Sequence, residues 1–254
     1  MESWRTSIIQ TDAESIRVRG YDITALMGSA SFADVIFLLH QNRLPQPGES
    51  ALLNAILIGA ADHGPGAPSC AAARLAASGN RESLSAAVAA GVLTIGNEHG
   101  GAGALAMQMI AAGAELARTE GVSLAAAAER AVEAARATGR HLPGLGHRVH
   151  TCDPRTKVLF DMARKYGLAG SGVEFVTALQ AAAARKIKPL PINIDGALAA
   201  VLFDLGFPAA AGKLIFIIAR VAGITAEVAE EHAREKPMRI RIPVDYDGPP
   251  PRSL

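Results

Sequence analysis

Cysteine is nearly absent: Cys70 and Cys152 are the only two. That is too few for a disulfide scaffold and suits a reducing, cytoplasmic compartment. Surplus charge is missing too, since 25 lysines and arginines face 24 acids for a formal +1. Such balance argues against nucleic acid or an acidic membrane surface as a partner. Long hydrophobic runs are also lacking. Asp195, Asp204, Lys213 and Arg220 interrupt the most apolar stretches, so none reaches the ~18 residues of a membrane span. The opening Met1-Glu2-Ser3-Trp4-Arg5 is polar, without an apolar signal core. Internal repeats and low-complexity linkers are not seen, and only Gly248-Pro249-Pro250-Pro251 reads as a loose tail. The expectation is a soluble, cytoplasmic globular protein.

Half of the 254 residues are hydrophobic and 19% are charged, enough apolar material for one large domain or two small ones. Strand-like alternation is confined to Ser15-Ile16-Arg17-Val18-Arg19 and Ile240-Arg241-Ile242. Helical spacing is widespread. Leu159, Met162 and Ala163 fall on one face, behind Asp153-Pro154, which reads as an N-cap followed by proline at the first helical position. Gly167 is placed to end that helix. Leu198, Val201, Leu202 and Leu205 repeat the pattern ahead of Gly206 and Pro208. Further helices are expected over about 33–41, 50–61, 83–95, 101–117, 123–138, 172–186 and 210–235, several rich in alanine, as are 71–77 and 86–90. The predicted fold class is all-α.

Four clusters hold residue types suited to chemistry. Ala61-Asp62-His63-Gly64-Pro65 follows an apolar helix, where Asp62 and His63 either cap it or present His63 to a cleft. In Gly96-Asn97-Glu98-His99-Gly100-Gly101, glycines after His99 permit close backbone approach, whether by a ligand or another helix. Leu142-Pro143-Gly144-Leu145-Gly146-His147-Arg148-Val149 forms a tight loop with exposed amides, able to face an adenine or a phosphate. His147 emerges from it, and Arg155 follows eight residues later at a helix start. Pro191-Ile192-Asn193-Ile194-Asp195-Gly196 places one carboxylate in apolar surroundings, either as an N-cap or as a general base with a raised pKa. Arg220 lies in an almost wholly apolar helix and needs an anionic partner: Asp204, Glu227 or a bound carboxylate. Cys152 near His147 and His150 lacks an oxyanion motif for thiol catalysis. The histidines at 63, 99 and 147 lack the close helical pairing of metal ligands, so no metal is expected. His141 and His150 read as surface or supporting residues.

In this order the clusters resemble the citrate synthase superfamily. Gly144-Leu145-Gly146-His147-Arg148-Val149 with Asp153-Pro154-Arg155 is similar to the family signature. His99-Gly100-Gly101-Ala102 resembles its His-Gly-Gly element, and Asn193-Ile194-Asp195 its Asn-Val-Asp. Arg19-Gly20-Tyr21 with Leu44-Pro45, and Arg241 with Tyr246-Asp247-Gly248, resemble its first and last motifs, although Ile242-Pro243 departs from an Arg-Pro-Arg pattern. Only 16 positions separate Pro45 from Ala61, where true synthases carry a long extra helical stretch. That compactness resembles the citryl-CoA lyase module of ATP-citrate lyase, as do Thr6-Ser7-Ile8, Ala61 to Pro65 and Leu93-Thr94-Ile95-Gly96.

The resemblance implies an all-α homodimer, with larger oligomers open, and an active site between a large domain (1–108 plus 209–254) and a small one (109–208). It implies citryl-CoA lyase activity, with short citrate or 2-methylcitrate synthase and a non-catalytic acyl-CoA-binding homologue as alternatives. His147 would handle the hydroxyl proton and Asp195 the carbon-bound proton. His99 or His63 would stabilise the enolate, the other holding oxaloacetate. Arg155, Arg220 and Arg241 would bind substrate carboxylates. Coenzyme A, a substrate group rather than a resident cofactor, would lie on Leu142, Gly144, Leu145 and Gly146, with Lys186 and Lys188 near its phosphates. The alternative for these two lysines, with Arg185, is a solvated helix end. A separate citryl-CoA synthetase as partner enzyme is left open.

Overall fold

The computed structural model describes residues 3–146 and 151–253. His147 and His150 therefore lie outside the described residues. Three short strands open the chain, β1 (Ile9–Thr11), β2 (Ile16–Val18) and β3 (Tyr21–Asp22), paired antiparallel in that order. Eleven helices follow among the described residues: α1 (Ile23–Ser29), α2 (Phe32–Gln41), α3 (Pro47–Ala60), α4 (Pro68–Gly79), α5 (Leu84–Leu93), α6 (Ala102–Glu120), α7 (Leu124–Thr138), α8 (Pro154–Lys165), α9 (Ser171–Lys186), α10 (Ile194–Asp204) and α11 (Ala211–Arg234).

Local chemistry explains most boundaries. Asp153 caps α8 by accepting from the Arg155 backbone N–H, Pro154 occupies its first position, and Gly167 follows its end at φ +67°. Helix α3 begins three residues before the expected 50, because Pro47 suits the first turn and Gln46 and Glu49 form a reciprocal capping box. Helix α1 was not foreseen. It has only seven residues and rests on the Asp22 side chain, which accepts from Thr24 and Ala25. The alternation in Ile240-Arg241-Ile242 does not form a strand. Ile240 and Ile242 instead line a groove with Ala71, Ala72 and Leu75 of α4.

The chain divides into two compact units, residues 1–62 with 95–222, and 63–94 with 223–254. These differ from the large and small domains that the family resemblance implies, which concern halves closing on a substrate.

In the first unit α10 is the centre. It packs on α3, α6, α8 and α9, and Ile194 and residues 196–202 are all buried, so it is apolar all round. Phe37, Leu52, Ile56, Met107, Phe175 and Leu179 fill the space around it. In the second unit Ala73, Ala77 and Ala87 of α4 and α5 pack with Ile224 and Val228 of α11. Arg74 there pairs with Glu227 and Glu231, and Arg239 also holds Glu231. Among the described residues, no helix is long and apolar enough to cross a membrane.

Candidate active site

The loop at 142–146 and the start of α10 are built as one piece. The Asn193 side chain caps α10 by accepting from Gly196 N–H at 3.1 Å, while its Nδ2 donates to Gly146 O at 2.8 Å. Gly146 N–H donates to Pro191 O at 2.7 Å and Asn193 N–H to Gly144 O at 3.1 Å. Gly144, at φ +84°, touches Gly196 so closely that a Cβ on Gly196 would lie 2.3 Å from Gly144 O. No larger residue fits either position. The capping role weighed for Asp195 thus belongs to Asn193, and Asp195 sits in the first turn of α10 without that task.

Beside this junction lies a cavity of about 670 Å³, lined by Leu142, Gly144, Leu145, Gly146, Lys188 and Asp195 together with Asn97, Glu98, Leu105 and His141. Four loop residues and one lysine expected to bind coenzyme A therefore meet the expected general base. Asp195 is half-buried as a residue, but its Oδ1 is shielded from solvent and has no hydrogen-bond partner among the described residues. Burial raises its pKa from 3.8 to about 6, against the opposing charges of Arg155 and Arg220. A carboxyl poised there exchanges protons readily near neutrality.

The two arginines approach from other elements. Asp153, only 1% exposed, takes Arg155 Nε at 2.9 Å and Nη2 at 2.7 Å, while Nη1 donates to Gly59 O at 3.1 Å. Arg155 also lines a separate apolar cavity of about 370 Å³ with Ile58, Val158 and Leu159. Arg220 is buried, donates from Nε to Ala60 O at 3.0 Å, and stacks 4.8 Å above the Phe216 ring. The acids weighed for it serve elsewhere. Asp204 accepts from Gly170, Gly172 and Val173 at the start of α9, and Glu227 pairs with Arg74.

His99 is half-buried at a backbone bridge with Gly96, its ring 6.3 Å edge-on from Phe216. Gly100 beside it has φ +72°, and a Cβ there would fall 2.1 Å from the same ring. The glycine after His99 is thus required by close packing, the helix-approach reading of that motif. His63 and Arg241 are exposed and belong to the second unit. Lys186 pairs with Glu129 and Glu133, and Arg185 with Glu129. Lys188 makes no ion pair among the described residues and lines the cavity. Cys152 is exposed.

Sequence reasoning missed Asp153 as a holder of Arg155, Phe216 as the platform shared by His99 and Arg220, and Leu105 in the cavity wall, and it held Asn97 and Glu98 only as members of the His99 cluster. It read His141 as a surface or supporting residue, and His141 lines the cavity. The i, i+4 spacing of Phe216 and Arg220 was the available signal for that stacked pair.

The sequence pattern of the citrate synthase C-terminal domain matches residues 45–241. The chain belongs to the citrate synthase family. Within this family it is similar over its whole length to citryl-CoA lyase from Hydrogenobacter thermophilus, at 39% identity and a TM-score of 0.89, covering 98% of that chain. An ATP citrate lyase from Methanothrix soehngenii, in complex with citrate and coenzyme A, shares the fold at 20% identity and a TM-score of 0.83, over 98% of this chain and 42% of that one. Citrate synthase 2 of Bacillus subtilis is 30% identical over 81% of this chain and 53% of its own length. A probable ATP-citrate synthase of Caenorhabditis elegans is 29% identical over 80% of this chain. The chain spans about half the length of the curated citrate synthase relatives, and 18% of the Caenorhabditis elegans protein. The architecture is accordingly all-α and citrate synthase-like, in a shortened form.

Proposed function

We propose that the chain is a citryl-CoA lyase, cleaving citryl-CoA reversibly to acetyl-CoA and oxaloacetate. Asp195 carries this reading: a shielded carboxyl without a hydrogen-bond partner among the described residues, with a pKa of about 6, lining the same cavity as the 142–146 loop. The full-length likeness to the Hydrogenobacter thermophilus citryl-CoA lyase supports the lyase within the family.

In the cleavage direction His147 removes the tertiary hydroxyl proton of citryl-CoA. The bond between that carbon and the acetyl methylene then breaks, giving the oxaloacetate carbonyl and an acetyl-CoA enolate. Asp195 in its acid form protonates the enolate carbon. In condensation, Asp195 as carboxylate takes a methyl proton and His147 donates to the forming hydroxyl. His99 or His63 donates to the thioester oxygen as charge grows there, and such a fixed donor is worth about 3–4 kcal/mol. Arg155, Arg220 and Arg241 receive the substrate carboxylates. Coenzyme A lies along Leu142, Gly144, Leu145 and Gly146, with Lys188 at its phosphates. The functional halves are 1–108 with 209–254 and 109–208, in a cytoplasmic homodimer supplied by a separate citryl-CoA synthetase.

Synthesis with thioester hydrolysis is the second reading, favoured by His99, which citrate synthases share. Incubation with synthetic citryl-CoA, with products separated by mass spectrometry, tests both. Oxaloacetate and acetyl-CoA, lost in Asp195→Asn, are the expected result. Citrate and free coenzyme A as main products would move the chain to the synthases.

A further inference from the structure

We infer that Asp153 is a positioning residue for substrate carboxylate binding, acting through Arg155 rather than only as the cap of α8. The inference rests on the carboxylate role of Arg155 proposed above.

Two jobs are visible in one side chain. Oδ1 accepts from the Arg155 backbone N–H at 3.1 Å, which is an ordinary N-cap contact. The same carboxylate also grips the guanidinium edge-on, Oδ1 to Nε at 2.9 Å and Oδ2 to Nη2 at 2.7 Å. A cap needs one oxygen. The second oxygen adds a contact to the guanidinium that a cap does not require.

Gly59 O fixes the far side of the same group through Nη1 at 3.1 Å. A guanidinium has five N–H donors. Three go to Asp153 and Gly59, leaving one on Nη1 and one on Nη2 among the described residues. Those two form the paired end that matches a carboxylate. Because the Nε–Nη2 edge is held, the paired end has one direction in space. An arginine on a flexible stem would have to be ordered by each arriving substrate.

The start of α8 has other ties that do not use the Asp153 carboxylate. Thr156 Oγ1 donates to Ile192 O at 2.9 Å and Thr156 N–H to Asp153 O at 3.2 Å. Substitutions that keep the cap therefore separate the two jobs. Asparagine and serine both cap helices well, but neither offers two anionic oxygens to an arginine.

The test compares the wild-type enzyme with Asp153→Asn, Asp153→Ser and Asp153→Ala. Condensation of acetyl-CoA with oxaloacetate and cleavage of citryl-CoA are measured alongside melting temperature. In parallel, nitrogen-15 NMR follows the Arg155 side-chain Nε–H, assigned by its absence from an Arg155→Lys sample. The expected result is a KM for oxaloacetate raised tenfold or more in both the Asn and Ser variants. The KM for acetyl-CoA should stay within twofold, and the exchange-protected Nε–H signal should disappear. Normal kinetics in Asp153→Ser, with loss only in Asp153→Ala, would reduce Asp153 to a cap and overturn the inference. An inert wild-type enzyme would overturn the lyase reading instead, and the NMR signal still decides the positioning: retention in Asp153→Ser refutes it, loss supports it.

Discussion

Asp195, half-buried with a shielded Oδ1, and Glu231, fully buried, are carboxylates with opposite fates. Burial is the largest influence on both and pushes both upward. Glu231 is 0% exposed, yet Arg239 donates to it from Nε at 2.9 Å and Nη2 at 2.5 Å, and Arg74 Nε at 3.0 Å. Those bonds and charges outweigh the burial and bring its pKa below the ordinary value of 4.5. Asp195 feels Arg155 and Arg220 only through their charges, and its pKa stays up, at about 6. Direct hydrogen bonding by a cation makes a carboxylate a fixed structural anion. Without it, the group remains able to take and release a proton.

The comparison breaks most strongly at Asp195. Asp195→Asn should lower kcat for citryl-CoA cleavage by about 10²–10⁴-fold, the usual worth of a positioned acid or base. It should also stabilise the fold. The folded pKa lies above the ordinary value of 3.8, so the native carboxyl is penalised once pH exceeds that value, and fully so above about 6. Discounted for partial exposure, the gain is about 1–3 kcal/mol at pH 8. Melting curves of the two proteins should converge below pH 4 or so; a gap that persists in acid would contradict this origin.

Removing the charge from the paired acid should do the reverse. Glu231→Gln leaves Arg74 and Arg239 without their shared anion, at a cost of about 3 kcal/mol, read as a lower urea midpoint. Stability from the depressed Glu231 pKa is present above 4.5 and is lost as pH falls through the lower folded value. Acid should therefore weaken the wild-type protein more than Glu231→Gln.

The protonation of Asp195 sets a third, smaller effect. In the proposed mechanism cleavage needs its acid form, so that limb of kcat/KM should fall up to about tenfold per pH unit above pH 6. Condensation, which in that mechanism needs the carboxylate, should rise towards pH 6 before levelling. Profiles of the same sign in both directions would exclude Asp195 as the shared acid and base. The smallest effect belongs to Lys188→Ala, which should raise the KM for the thioester by about two- to fivefold, less at high salt.

Much of this was legible in one dimension. Capping and proline signals located α8, and apolar spacing located α10, because both depend on neighbours within a few residues. The 142–146 loop and the Asn193-Ile194-Asp195 motif were each visible as clusters. Their union was not, since it depends on Asn193 Nδ2 reaching Gly146 O across 47 residues. Lys186 and Lys188 look alike in sequence, yet Lys186 meets the α7 glutamates while Lys188 lines the cavity.

The sequence by itself determined the helical class, the residue types available for proton transfer and carboxylate binding, and the family likeness. These rest on local periodicity and on motif order. Only the tertiary structure decided which acids are paired and which has no hydrogen-bond partner among the described residues, that Asp153 grips Arg155, and that Phe216 serves both His99 and Arg220. A carboxylate's pKa depends on the dielectric and the donors around it, and those come from segments far apart in the chain.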